Sequence, residues 1–194
     1  MNKLAPVVLS GSGVLLEPLA RAHCASLKQV VADGDICGLH YVAAPNPEDM
    51  SAWVEHALAM ADAGRELPFA IVDKGRVVGT TRLYDIDLAV PTMAIGFTFL
   101  AASVWRTHVN TANKFLLMRH AFDTLGTQSL YFHTSHLNLR SQAAIERLGA
   151  QRDGVLRAHK RHKDGSRRDT VVYSITAAEW PPIREKLDAR LRRG

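Results

Sequence analysis

The chain has 194 residues, 47% of them hydrophobic and 22% charged, with a formal net charge of +5. That balance suits one domain over 1–194 with one substantial core, and no apolar run reaches the roughly eighteen residues a membrane span needs. The positive charge favours anionic ligands only weakly, because much of it sits in two clusters, 160–168 and the C-terminus. The opening MNKLAPVVLSGSG holds an apolar run too short for a secretory signal. Cys24 and Cys37 lack metal-ligand spacing, so reduced thiols, no metal and a cytoplasmic location are expected.

In chain order, VVL at 7–9, a GSG turn and VLLEPL at 14–19 read as strands, the second closed by Pro18. Residues 21–31 suit a first helix, broken around Gly34 and Gly38. Asn46, Pro47 and Glu48 supply a cap, a first-turn proline and a first-turn acid for a second helix reaching Ala63. Trp53, Ala57, Leu58 and Met60 would be its buried side, with Glu55 and His56 in water. FAIV at 69–72, DKGR and VVGTTRLYDI at 77–86 have the composition and spacing of a hairpin.

A short apolar strand at 94–100 follows, then a polar turn at 101–110 and an amphipathic helix with Phe115, Leu116, Ala121 and Phe122 inward, ended by Gly126. SLYFHTS at 129–135 alternates as a strand does, and a short helix at 141–148 stops at Gly149. A strand at 154–157, the basic turn HKRHKDGSRR and a return strand at 169–175 follow. Thr176 and Glu179 match a capping box for a last helix carrying Trp180, Ile183, Leu187 and Leu191. The order predicts an α+β fold whose central sheet is mixed and mostly antiparallel, with one parallel step from 94–100 to 129–135.

Where strand 94–100 hands over to its helix, the first helical N–H groups lack intrahelical partners and the backbone dipoles add. An anion fits there, although an ordinary strand-to-helix connection carrying no ligand has the same pattern. Likewise Asn138 followed by Ser141 is an ordinary helix start as well as a pair of polar groups for a ligand.

The ordered segments IGFTFL, WRTHVNTANKFLLMRHAF, NLRSQAAIERLGAQRDGVLR and RDTVVYSI with EWP resemble the GCN5-related N-acetyltransferase (GNAT) superfamily. The resemblance is nearer to ribosomal-protein alanine N-acetyltransferases and their uncharacterised bacterial relatives, and it covers 15–187. It implies a GNAT-like sheet splayed between its fourth and fifth strands, 95–100 and 129–135, and flanked by helices. Acetyl-CoA would lie in the opening, and its acetyl group would pass to a primary amine, a protein N-terminus or a small molecule, by direct attack. It further implies that the backbone near Thr98, Phe99 and Leu100 takes the pantetheine arm. The turn Arg106, Thr107, His108, Val109, Asn110 and Thr111 would take the pyrophosphate, with Lys114 as a second cation. Asn138 would hydrogen-bond the arm, and Ser141 would stand near the sulfur and protonate the thiolate.

The sequence departs from the family in three places. The turn at 105–110 has no glycine, Ala94 stands where relatives often carry a glutamate base, and Ile145 stands where many carry a tyrosine acid. His133, Asp85 and Asp87 are then candidate bases, with His133 also readable as a plain strand residue; Tyr84 would orient the substrate. His120 reads as packing or surface. The stretch 35–47, with His40 and Tyr41, and the hairpin 157–170 would rim the acceptor entrance. Two other readings are a CoA-binding module without catalysis, and a ribosome- or nucleic-acid-associated protein using the basic clusters. Aromatic residues do not interleave with those clusters, so nucleic acid is not expected as a partner. A homodimer is one expectation for the assembly.

Overall fold

A computed structural model describes residues 4–34, 36–42 and 44–193. Its strands are β1 Leu9–Gly11, β2 Val14–Pro18, β3 Leu67–Asp73, β4 Arg76–Asp87, β5 Thr92–Leu100, β6 Ser129–Ser135, β7 Gln151–Arg161 and β8 Arg167–Thr176. They form one sheet in the order β1-β2-β3-β4-β5-β6-β8-β7, antiparallel throughout except between β5 and β6. The helices are α1 Cys24–Ala32, α2 Met50–Asp62, α3 Val109–Arg119, α4 Leu139–Glu146 and α5 Trp180–Arg192. This is the mixed α+β architecture expected, with the parallel step where it was expected.

Local sequence explains the elements that frame the sheet centre. The β3–β4 turn places Lys74 at φ 49° and Gly75 at φ 73°, the left-handed pair whose twist matches a two-residue hairpin. In β5 the register against β4 moves from Thr80↔Phe99 to Arg82↔Gly96, so one extra residue is inserted, with Phe97 at φ 51°. The bulge reverses the alternation of the strand. Phe97 and Phe99 therefore turn to the face of Arg82 and α2, where Phe99 meets Trp53, while Thr98 turns to Thr81 and α3.

Several sequence boundaries shift. β1 begins at Leu9, leaving Val7 and Val8 outside the ladder. Asn46 and Pro47 form a turn, accepting from Asp49 and Met50, so α2 starts later, and its buried side is Met50, Val54 and Ala57 with Trp53 partly covered. α3 is not amphipathic: eight of its eleven residues are buried, because β1, β2 and α5 close around it. It runs on as a π turn at His120–Thr124 before Gly126. α4 starts at Leu139 rather than 141, and β7 runs over Gln151–Arg161 rather than 154–157. Glu179 accepts from both the N–H and the hydroxyl of Thr176, which fixes the entry of α5 without the reciprocal half of a capping box.

Candidate active site

β5 and β6 pair over only four registers, Thr92↔Ser129 to Ile95↔Phe132. Beyond them the strands part, and 96–100 keeps β4 on one side while its other edge opens into a cleft of about 850 Å³. Backbone N–H and C=O groups on such an edge need partners, and an extended amide chain can supply them as an added strand does.

At one end the cleft meets the start of α3. The backbone N–H groups of Arg106, Thr107, His108, Asn110 and Thr111 make no hydrogen bond with a described residue, whereas Val109 N–H donates to the Thr107 hydroxyl at 3.3 Å. Arg106 adopts φ 63°, a conformation that favours glycine, so the glycine-free turn takes that geometry with an arginine. Trp105 Nε1 donates to Leu100 O at 2.8 Å and pins the turn to the strand. The guanidinium of Arg140 lies 4.2 Å above the Trp105 ring, and Arg140 and Arg147 both line the cleft. These three residues were missed in the sequence; the only signal was Arg140 between Asn138 and Ser141 and Arg147 six residues on.

Asn138 caps α4, its Oδ1 accepting from Ser141 N–H at 3.0 Å, and its –NH2 makes no hydrogen bond with a described residue. Both residues line the cleft, as does Ile145. Gln142 Nε2 donates to the carbonyls of Ser135 and His136, and Tyr173 OH to Glu146 at 2.9 Å, so α4 is tied to the ends of β6 and β8. Lys114 lines the cleft from one turn into α3. Its ammonium is buried beneath β5, donating to Thr98 Oγ1 at 2.6 Å and Thr81 Oγ1 at 3.4 Å, with no carboxylate of the described residues beside it, and burial pulls its pKa down to about 7.

At the other end, register places Arg82 and Tyr84 on β4, His133 and Ser135 on β6, and Thr170 and Val172 on β8 on one face. Tyr84 OH and His133 Nδ1 are 2.9 Å apart. A Cβ at position 96 would lie 2.6 Å from the Tyr84 ring, so Gly96 leaves the space through which the phenol reaches β6. Burial keeps the His133 imidazole below its ordinary pKa, against an upward pull from Asp85, and holds the Tyr84 phenol well above its own. Behind them Arg82 pairs with Glu66 at 2.7 Å and lies between Trp53 and Phe97, 4.0 and 4.5 Å from the ring centres.

Tyr41 lines the cleft together with Leu39 and Arg168. Lys163 of the β7–β8 hairpin donates to the carbonyls of His40 and Cys37, joining that hairpin to the 36–42 loop. Asp35 and Ala43, within the expected rim 35–47, lie outside the described residues. Ser135 Oγ meets His162 Nε2 at 2.8 Å, which closes the wall from the sheet side. Asp85 lines a different cavity beside Glu66, and Asp87 caps the turn at Ala89 and Val90, so neither is brought to the cleft. His120 is half-buried in the π turn at the far end of α3.

Residues 14–151 match the model of the acetyltransferase (GNAT) domain. Similar solved structures include a T. thermophilus protein provisionally assigned as an acetyltransferase, 34% identical over 97% of this chain and 98% of that one, with a TM-score of 0.86. A GCN5-related N-acetyltransferase from Brucella melitensis is 28% identical over 98% and 87% of the two chains, with a TM-score of 0.89. Mycobacterium smegmatis RimJ, solved with a CoA disulfide, shares the fold at 23% identity over 96% and 93% of the chains and a TM-score of 0.79. No curated protein matches the sequence.

Proposed function

Because the chain belongs to the acetyltransferase (GNAT) family, and is thereby an acetyl-CoA-dependent N-acetyltransferase, we propose that it transfers the acetyl group to a primary amine by direct attack, using the cleft between β5 and β6. The observation that carries this reading is the parting of those two strands beside a run of backbone N–H groups, at the start of α3, that no described residue accepts from. The residues present fit the coenzyme: an open strand edge for amides, N–H donors and Arg106, Arg140 and Arg147 for phosphates. The bound CoA of RimJ, a protein of the same fold, supports it.

Bound acetyl-CoA supplies an activated thioester; the chain supplies position and proton handling. Thr98, Phe99 and Leu100 hold the arm through their backbone, Asn138 donates its –NH2, and the donors of 106–111 fix the phosphate end. The amine enters from the side of Tyr41 and His133. An ammonium cannot attack, so a base must take its proton. With Nδ1–H donating to the Tyr84 oxygen, His133 has Nε2 free to accept, and its depressed pKa keeps it neutral at pH 7. Ser141, whose hydroxyl makes no hydrogen bond with a described residue, returns a proton to the thiolate.

A thiol-release assay over an amine panel tests the reading. Activity falls as pH drops through the His133 pKa, below the ordinary value of about 6.5, since protonation removes the base. His133→Ala lowers kcat by about 10²–10⁴-fold and abolishes that inflection. Unchanged activity and profile would remove His133; CoA binding without thiol release from any amine would leave a binding module.

A further inference from the structure

We propose that the acceptor carries a carboxylate as well as its amine, and that Arg168 on β8 is the residue that recognises it. The proposal rests on the transfer reading above for the identity of the site. The register His133↔Val172 and Ser135↔Thr170 carries β8 past the end of β6, so Arg168, two residues beyond Thr170, projects on the same face as His133 into the space left by the splay. Its Cα lies about 13 Å along the strands from that of His133, and its long side chain closes about half of that gap.

Arg168, half-buried, differs from the buried arginine of the sheet, Arg82. Arg82 is answered by Glu66, whereas no guanidinium nitrogen of Arg168 makes a hydrogen bond or ion pair with a described residue, and its Nε is fully buried. Removing guanidinium donors from water without an acceptor is costly, and such a group in a cleft wall points to a ligand that completes it. The acids nearest in sequence are already committed: Asp169 accepts from Ala158 N–H, and Asp164 from Ser166 N–H and hydroxyl. The titratable groups facing it are Tyr84, a neutral phenol, and His133 and His162, which burial keeps neutral. Asp85 and Lys160, which also act on His133, oppose each other, so the unanswered guanidinium is balanced by one negative charge, which selects a carboxylate over a doubly charged phosphate. A guanidinium fork meets a carboxylate with two parallel N–H donors.

The test uses CoA-saturated protein, with calorimetric binding and acetyl-CoA thiol release read for matched pairs of amines. One arm compares small amino carboxylates with their amides, from glycine against glycinamide up to longer spacers, with the corresponding aminoalkyl phosphates alongside. The other compares short peptides beginning with Asp against those beginning with Asn. The carboxylate member is expected to bind and react at least about tenfold better in one arm, which identifies a free amino acid or a protein N-terminus as the source. Arg168→Gln brings the ratio close to one, Arg168→Lys restores part of it, and both keep the CoA affinity of the parent. Amides equal to acids in both arms, no binding by any member, phosphates preferred over carboxylates, or a preference that survives in Arg168→Gln would each overturn the proposal. Preferential binding without thiol release keeps the Arg168 site and defeats the transfer reading; thiol release without preference does the reverse.

Discussion

At the end of the cleft proposed for the coenzyme the donors come from one short segment, 106–108 with 110 and 111, and are backbone N–H groups that any sequence forming that turn would present. At the end proposed for the acceptor Tyr84, His133 and Arg168 come from three strands and share a face only through register, a bulge and a space left by Gly96. The first end tolerates substitution because its chemistry is in the chain itself. The second depends on side-chain pairs, Tyr84 with His133 and Arg82 with Glu66 behind them, and single changes there should be felt strongly.

The largest effect should come from Glu66→Ala. It leaves the Arg82 guanidinium buried without its carboxylate beneath Phe97, and a loss of about 3–5 kcal/mol in chemical denaturation is expected. A loss below about 1 kcal/mol would mean that water or a shifted side chain replaces Glu66, and that the acceptor end is less tightly built than described. Next is Gly96→Ala, whose methyl group would meet the Tyr84 ring. The rate should drop at least about tenfold as the Tyr84–His133 contact opens, while CoA affinity changes little. Equal losses in both would erase the distinction between the ends.

Lys114 lies between the two ends and has a pH signature. Its folded pKa, about 7, is below that of the unfolded lysine, so between those values the unfolded chain binds more protons and stability rises with pH. Below pH 7 both states are protonated and the burial cost is fully present. Lys114→Met should therefore stabilise the protein by roughly 1–3 kcal/mol at pH 6, with the gain shrinking towards pH 10. A gain independent of pH would contradict an uncompensated buried ammonium. The smallest effect belongs to Arg106→Gly, which relieves the positive φ and should leave stability unchanged or raised by up to about 1 kcal/mol, with CoA bound more weakly as a cation is lost. A loss of stability would show that the turn is held by the side chain.

The same contrast explains what could be read from the sequence. Strand 94–100, its helix and the pair Asn138 and Ser141 are local patterns, and the structure brings them to one cleft. The fold class and the parallel step also follow, because hydrophobic periodicity and turn residues set them. The bulge at Phe97 is invisible in an apolar run, since the shift of register depends on what β4 offers opposite it. The burial of the Lys114 ammonium is not legible either, because helical spacing gives its place but not the packing of α3 beneath β1, β2 and α5. Arg168 sat unnoticed in a basic run, because nothing in RR tells which arginine turns inward.

The most direct test of the central claim is a crystal structure of the protein with CoA bound. The pantetheine arm should run along 96–100 between β5 and β6, with its pyrophosphate on the N–H groups of 106–111 and Arg140 within reach. A coenzyme seated elsewhere, or a β5 and β6 ladder continued to Ser135 with the cleft closed, would contradict the account.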